Sequence, residues 1–161
     1  YRLTQAGRAL GPVVRAMAMW GQEWIDENPS LEDIDVRFLM WDMRRNVRSI
    51  ASLPARFTVR FSFEDAPQGL REHWLVFEEG KVDLCYTDPG YDIDVHLETD
   101  LTTMTRVWMG WKDLDTALRD DSISVAGPKA HIATIRQWLG LSSLAHIPKR
   151  ETIDRVLIAR P

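Results

Sequence analysis

Asp92, Asp94, His96 and Glu98 alternate along the stretch DIDVHLE, and they form the sharpest polar pattern in the chain. On a strand, period two puts all four side chains on one face, and carboxylates with an imidazole can hold a divalent cation. Alternate residues on a strand stand about 6.5–7 Å apart, too far for neighbouring ligands unless the side chains converge. The stretch therefore reads as the solvated outer face of a strand, and no metal site is expected. His73, His131 and His146 have no Ser or carboxylate at a catalytic spacing. Cys85, the single cysteine, lies between Leu84 and Tyr86 and reads as a small half-buried strand residue. One thiol can make neither an internal disulfide nor a thiolate zinc site, which fits a reducing, cytoplasmic setting.

Motifs that would announce an enzyme are missing from the sequence. There is no G-x-x-x-x-G-K-[ST], no G-x-G-x-x-G after a strand and no H-E-x-x-H. The stretch LGLSSL lacks the second glycine of a nucleophile elbow. The expectation is a protein that binds rather than catalyses, without a cofactor.

The aromatic residues differ in kind. Trp41, Phe61, Phe63, Trp74, Trp108, Trp111 and Trp138 come from separate elements, in a chain of 161 residues with seven Trp and six Met. Such side chains either fill a core or wall an apolar pocket.

The elements that must position them follow from periodicity. Leu10, Val13, Val14, Met17, Trp20, Trp24 and Ile25 recur at helical spacing, so residues 8–26 are expected to form an amphipathic helix ended by Asn28-Pro29. Val36, Leu39, Met43, Val47 and Ile50 predict a second helix over residues 35–50, with Arg44, Arg45 and Arg48 near its C-terminal end. In ARFTVRFSFE, Phe57, Val59, Phe61 and Phe63 alternate with polar residues, the mark of a half-buried strand. HWLVFEEGKVDLCY predicts two more strands joined at Glu79-Gly80, TDPGYD a turn, and IDVHLE a fourth strand. Short turns suggest an antiparallel meander. Asp100 caps a helix carrying Leu101, Met104, Val107, Trp108 and Trp111, and a short helix over residues 113–119 follows. SISVAG is a fifth strand; Gly127-Pro128 opens a last helix with Ile132, Ile135, Trp138 and Leu139 inward, and residues 155–159 suit a short strand. Strands and helices are segregated, which predicts an α+β fold: an antiparallel sheet of about five strands covered on one face by helices.

Charge limits the partners. Residues 64–121 carry fifteen acidic side chains against five basic ones, whereas residues 122–161 carry six basic against two acidic. Phosphate binding needs clustered Lys and Arg, so the acidic middle is not expected to touch DNA. No apolar run approaches the roughly 20 residues that cross a bilayer, and no membrane insertion is expected.

Two resemblances gather these features. YRLTQAGRALGPVVRAMAMWGQEW resembles the end of HxlR-type winged-helix transcription regulators, where Tyr1, Leu3, Thr4, Gly7 and Leu10 match Y-x-L-T-x-x-G-x-x-L. That likeness implies that Tyr1 to Thr4 end a wing strand and that a dimerisation helix follows. On it, DNA would be contacted only through a winged-helix part preceding Tyr1. LMWDMRRNV, VDLCYTDPGYDIDV, TDLTTMTRVWMGW and SISVAGPKAHIATIRQWLG resemble a sterol-carrier-protein-like domain. That likeness implies helices over a sheet around an apolar tunnel for lipid or another hydrophobic molecule.

The expected organisation is residues 1–28 as the end of a winged-helix domain with its dimerisation helix, and residues 35–161 as the ligand-binding domain. Met17, Trp20, Trp24 and Ile25 are expected to join a homodimer. Strand alternation and helical spacing place the pocket among Phe61, Phe63, Trp74, Val76, Leu84, Tyr86, Met104, Val107, Trp108 and Trp111, with Trp41 and Trp138 at its ends. The expected function is effector sensing and dimerisation in a transcriptional regulator. The alternative is a lipid-carrier module with no DNA-linked role.

Overall fold

The structure is a computed structural model that describes residues 2–150. Its described residues fall into two compact units, residues 28–143 and, separately, residues 2–27 with residues 144–150.

The N-terminal unit is built on α1, Gln5–Trp24. Thr4, whose hydroxyl accepts the Gly7 N–H at 3.1 Å, caps it, so the helix starts three residues before its apolar repeat suggests. Arg2 to Thr4 belong to no strand. In the same unit Arg150 approaches the Glu23 carboxylate at 3.5 Å and lies over the Trp24 ring at 5.4 Å.

The larger unit opens with α2, Val36–Asn46, where the Asp35 carboxylate accepts the N–H groups of Arg37 and Phe38. Val36, Leu39, Met40 and Met43 are its buried face. Strands β1 (Arg56–Phe63), β2 (Glu72–Glu78) and β3 (Lys81–Cys85) follow. β2 and β3 turn over Glu79 and Gly80, both at positive φ, which is the primed hairpin geometry that matches strand twist. β4 is Val95–Thr99, α3 Leu101–Trp108, α4 Leu114–Arg119, β5 Ile123–Ala126, α5 Lys129–Ile132 and α6 Ile135–Trp138. The last helix expected from the sequence is thus two short ones. The strand expected at residues 155–159 lies outside the described residues.

Among the described residues the sheet has five strands, in the order β3-β2-β1-β4-β5. The fold is α+β, but the meander is corrected at one point: β4 pairs with β1, and in parallel, with Val59 opposite Val95 and Phe61 opposite Leu97. A parallel pair needs a crossover. Residues 86–94 supply it, leaving the edge strand β3 and reaching β4 on the far side of β1. Arg56 lies over the Tyr91 ring at 4.1 Å, and Asp94 seals the end by accepting the Thr58 N–H at 2.9 Å and donating its own to the Thr58 carbonyl.

The inner sheet face carries Phe57, Val59, Phe61, Phe63, Leu75, Phe77, Val95, Leu97 and Ile123. These pack in one core with α2, Leu101, Met104, Val107 and Trp108 of α3, and Ile135, Trp138 and Leu139. Phe57, Phe77 and Trp138 meet edge to face, with ring centroids 5.6–5.8 Å apart.

Candidate functional site

Phe61, Phe63, Met104, Val107, Trp108 and Trp138, six of the twelve residues expected to line a pocket, are each at most 1% exposed. They meet between the sheet and its helices. The Trp108 indole N–H donates to the Asp42 carboxylate at 2.8 Å, which ties α3 to α2. Leu84 shares the inner face through its pairing with Leu75, and Tyr86 follows two residues on, half-exposed.

Four expected positions are corrected. Trp74 and Val76 pair with Arg60 and Thr58, so they lie on the opposite, outer face of the sheet. β2 is apolar on both faces, and alternation alone does not select one. Trp41 is 43% exposed, stacked on Phe38 at 5.9 Å with Arg45 above it at 4.5 Å. It stands two positions from both Leu39 and Met43, about 200° around a helix of 3.6 residues per turn, and so faces away from the core. Trp111 lies beyond α3, which ends at Trp108; Gly110 at φ 75 turns the chain there, and Trp111 is half-buried.

An open cleft of about 530 Å³ lies at the end of the packed layer. Its walls come from the 3-10 turn Leu31–Asp33, the start of α2, the β1–β2 connection and the start of α3. Leu31, Ile34, Val36, Pro67, Leu70 and Leu101 make it largely apolar, and Glu32, Asp35, Arg37 and Asp65 add charge. Asp35 and Asp65 are partly engaged already: each accepts backbone N–H groups at a helix start, Asp65 that of Leu101 at 2.9 Å. The volume falls within the roughly 300–1,000 Å³ of small-molecule sites. None of the twelve expected residues lines this cleft, but Val36 and Leu101 belong to the same core as Phe63 and Met104.

The alternating acidic stretch is engaged elsewhere. Asp94 serves Thr58, and its carboxylate lies 3.5 Å from His131 Nδ1. His96 Nε2 is 2.7 Å from Ser62 Oγ, and Ser62 also hydrogen-bonds the Glu72 carboxylate, which pairs with Arg60 at 2.6 Å. Among the described residues no group of three or more His, Cys, Asp or Glu is placed to hold a metal ion.

His73 is the residue that sequence reasoning missed. It faces Phe61 across β1–β2, is 1% exposed, and neither ring nitrogen has a hydrogen-bond partner among the described residues. Phe63 and Tyr86 flank its ring edge to face at 6.0 and 5.7 Å. Burial pushes its pKa below the ordinary histidine value; Glu72 opposes that shift and the Arg37 charge reinforces it. The signal was available: His73 is in phase with Leu75 and Phe77 in an otherwise apolar run.

Comparison with protein families matches residues 1–29 to the HxlR-like helix-turn-helix family. The N-terminal segment is HxlR-like. This match spans all of α1 and ends at the start of the larger unit, before its helix α2. Comparison with curated proteins finds no match.

Among solved structures, a variant of the sec-alkylsulfatase PisA1 from Pseudomonas sp. is similar at 16% identity and a TM-score of 0.54, over 74% of this chain. This chain spans only 18% of that enzyme. Sterol carrier protein 2 like 2 from Aedes aegypti is similar at 14% identity and a TM-score of 0.47, over 63% of this chain and 94% of its own. The UbiJ-SCP2 ubiquinone synthesis protein is similar at 18% identity and a TM-score of 0.44, over 83% and 99%. Likenesses at such identity concern the fold alone.

Among the described residues no helix is long and apolar enough to cross a membrane.

Proposed function

We propose that the chain is the effector-sensing and dimerisation region of a transcriptional regulator, with no catalytic role. In this reading the larger unit binds a small hydrophobic molecule, α1 pairs with α1 of a second copy, and DNA is contacted through the HxlR-like part of the whole protein. The observation that carries the reading is the HxlR-like match over a helix that presents bare apolar side chains. Along α1, Leu10, Val13, Val14, Met17 and Trp20 are exposed, Met17 at 68% and Trp20 at 59%, and Ile25 just beyond the helix is exposed too. Contiguous apolar surface of this kind marks a partner site, and closed two-fold pairing is the commonest solution. Met17, Trp20, Trp24 and Ile25 are the proposed contact residues.

The ligand site is proposed at the 530 Å³ cleft and the inner layer behind it, where Phe61, Phe63, Leu84, Tyr86, Met104, Val107, Trp108 and Trp138 lie. An open, largely apolar cleft whose walls include the core residues Val36 and Leu101 supports a hydrophobic ligand over a polar one.

Sensing requires that ligand and dimer each bias the other, because coupling between sites is reciprocal. Sedimentation equilibrium of the chain with and without saturating fatty acid, sterol or aromatic hydrocarbon tests this. The expected result is a dimer whose dissociation constant moves by at least about fivefold on ligand addition, and a Trp20→Glu, Met17→Glu variant that is monomeric. A monomer at tens of micromolar, or a dimer indifferent to every ligand and to both substitutions, contradicts the proposal.

A further inference from the structure

A buried polar group without a partner costs about 1–3 kcal/mol, so native proteins rarely keep one without a reason. His73 keeps two, because both ring nitrogens are enclosed and unpaired among the described residues. The ring stands on the inner sheet face among apolar neighbours, in contact with Phe63 on one side and Tyr86 on the other. Phe63 is fixed in the core, whereas Tyr86 is 50% exposed and begins the crossover after β3. Tyr86 is thus a neighbour of His73 that adjoins solvent, and its ring is not enclosed as that of Phe63 is.

We propose that His73 is the hydrogen-bonding anchor of the effector site, and that it takes the hydroxyl end of an uncharged, otherwise apolar ligand once Tyr86 moves aside. The inference rests on the effector-binding reading above and names the ligand class. A neutral imidazole carries one N–H donor and one bare nitrogen acceptor. A hydroxyl group offers both complementary roles. A hydrocarbon would leave both nitrogens unpaired, and an ammonium would bring a second cation near Arg37, whose charge is already felt at the ring. Phe63 and Tyr86, the two rings against the imidazole, are the apolar surroundings that the ligand body would meet beside the hydroxyl.

The test compares decan-1-ol with decane on the whole chain by Trp fluorescence titration, and follows the His73 ring by 15N NMR. Decanol is expected to bind about tenfold more tightly than decane, the value of one good hydrogen bond, and to shift the His73 ring nitrogens where decane does not. In His73→Phe the preference should fall to about unity with decane affinity retained. Equal binding of the two probes by the unsubstituted chain means that an enclosed water already satisfies His73, and overturns the anchor while leaving the effector reading intact. A preference that survives His73→Phe, or ring signals unmoved at saturation, overturns it as well. Failure of both probes to bind overturns the anchor, whereas the effector reading falls only if the fatty acids, sterols and aromatic hydrocarbons fail as well.

Discussion

The Trp108 indole N–H and the Asp42 carboxylate meet at 2.8 Å across the interface of α3 and α2. Trp108 is fully buried, so this is the outlet for the one polar atom of a large core side chain. Asp42 also accepts from Asn46 at 3.1 Å, which holds the carboxylate in place.

Asp42→Ala should therefore destabilise the larger unit by about 1–3 kcal/mol, the cost of an unsatisfied buried donor. Asp42→Asn keeps an acceptor oxygen and should lose clearly less. Urea unfolding of both variants checks the order. Equal stability of Asp42→Ala and the unsubstituted chain would refute the role given to this pair.

Gly127 stands at φ 147, a backbone region that L side chains rarely adopt, and a Cβ there would strike the Asp94 carbonyl oxygen. Gly127→Ala should cost about 1–3 kcal/mol in strain. It should also loosen the pairing of Asp94 with Thr58, visible as faster amide exchange at those two residues. Gly11, with nothing within 4 Å of its added Cβ, is the control: Gly11→Ala should not destabilise α1.

Asp120 has its pKa lowered to about 2, chiefly because Ser122 and then Lys112 hydrogen-bond its carboxylate. A depressed carboxylate stabilises the fold at pH above its ordinary value and loses that contribution as pH falls through about 2. A carboxyl 13C titration should find Asp120 still ionised at pH 3. Ser122→Ala should bring its midpoint back up. A midpoint near 4 in the unsubstituted chain would contradict the geometry.

His73 gives the range just below neutral pH a testable slope. Its folded pKa is depressed by burial, so on acidification below about 6.5 the unfolded chain takes up a proton that the folded chain refuses. Stability should fall as pH drops from about 6.5 toward 5. In His73→Phe that part of the slope should vanish, at equal or greater stability at pH 7. An unchanged slope would show that the imidazole is not held neutral.

Much of this architecture was legible in the residues. The alternation of Phe57, Val59, Phe61 and Phe63 against Arg56, Thr58, Arg60 and Ser62 set the inner face of β1 correctly, because only one face of that strand is apolar. Asp35, Asp100 and Asp113 announced helix starts, and each carboxylate caps one. What failed is what local pattern does not encode. The face of β2 was ambiguous because His73 to Phe77 are all apolar or aromatic, and it was settled by register against β1. The parallel pairing of β1 and β4 is a matter of topology: nothing in TDPGYD distinguishes a tight turn from part of a crossover. Trp41 was assigned inward on its type alone, although helical phase places it with Phe38 and Arg45. His73 was set aside for want of a sequence partner, and among the described residues both of its buried ring nitrogens lack one in the fold as well.

The claim on which the rest depends is that the larger unit takes up a hydrophobic molecule. A thermal-shift titration over fatty acids, alcohols, sterols and aromatic hydrocarbons tests it most directly. A ligand at 100 times its dissociation constant stabilises the fold by about 2.7 kcal/mol, which for a chain of this size raises the melting temperature by roughly 5–11 °C. The account predicts a saturable rise of that order for at least one class, reduced in a Leu70→Asp variant that puts charge into the apolar wall of the cleft. No rise with any class, together with unchanged Trp fluorescence at the same concentrations, would contradict it.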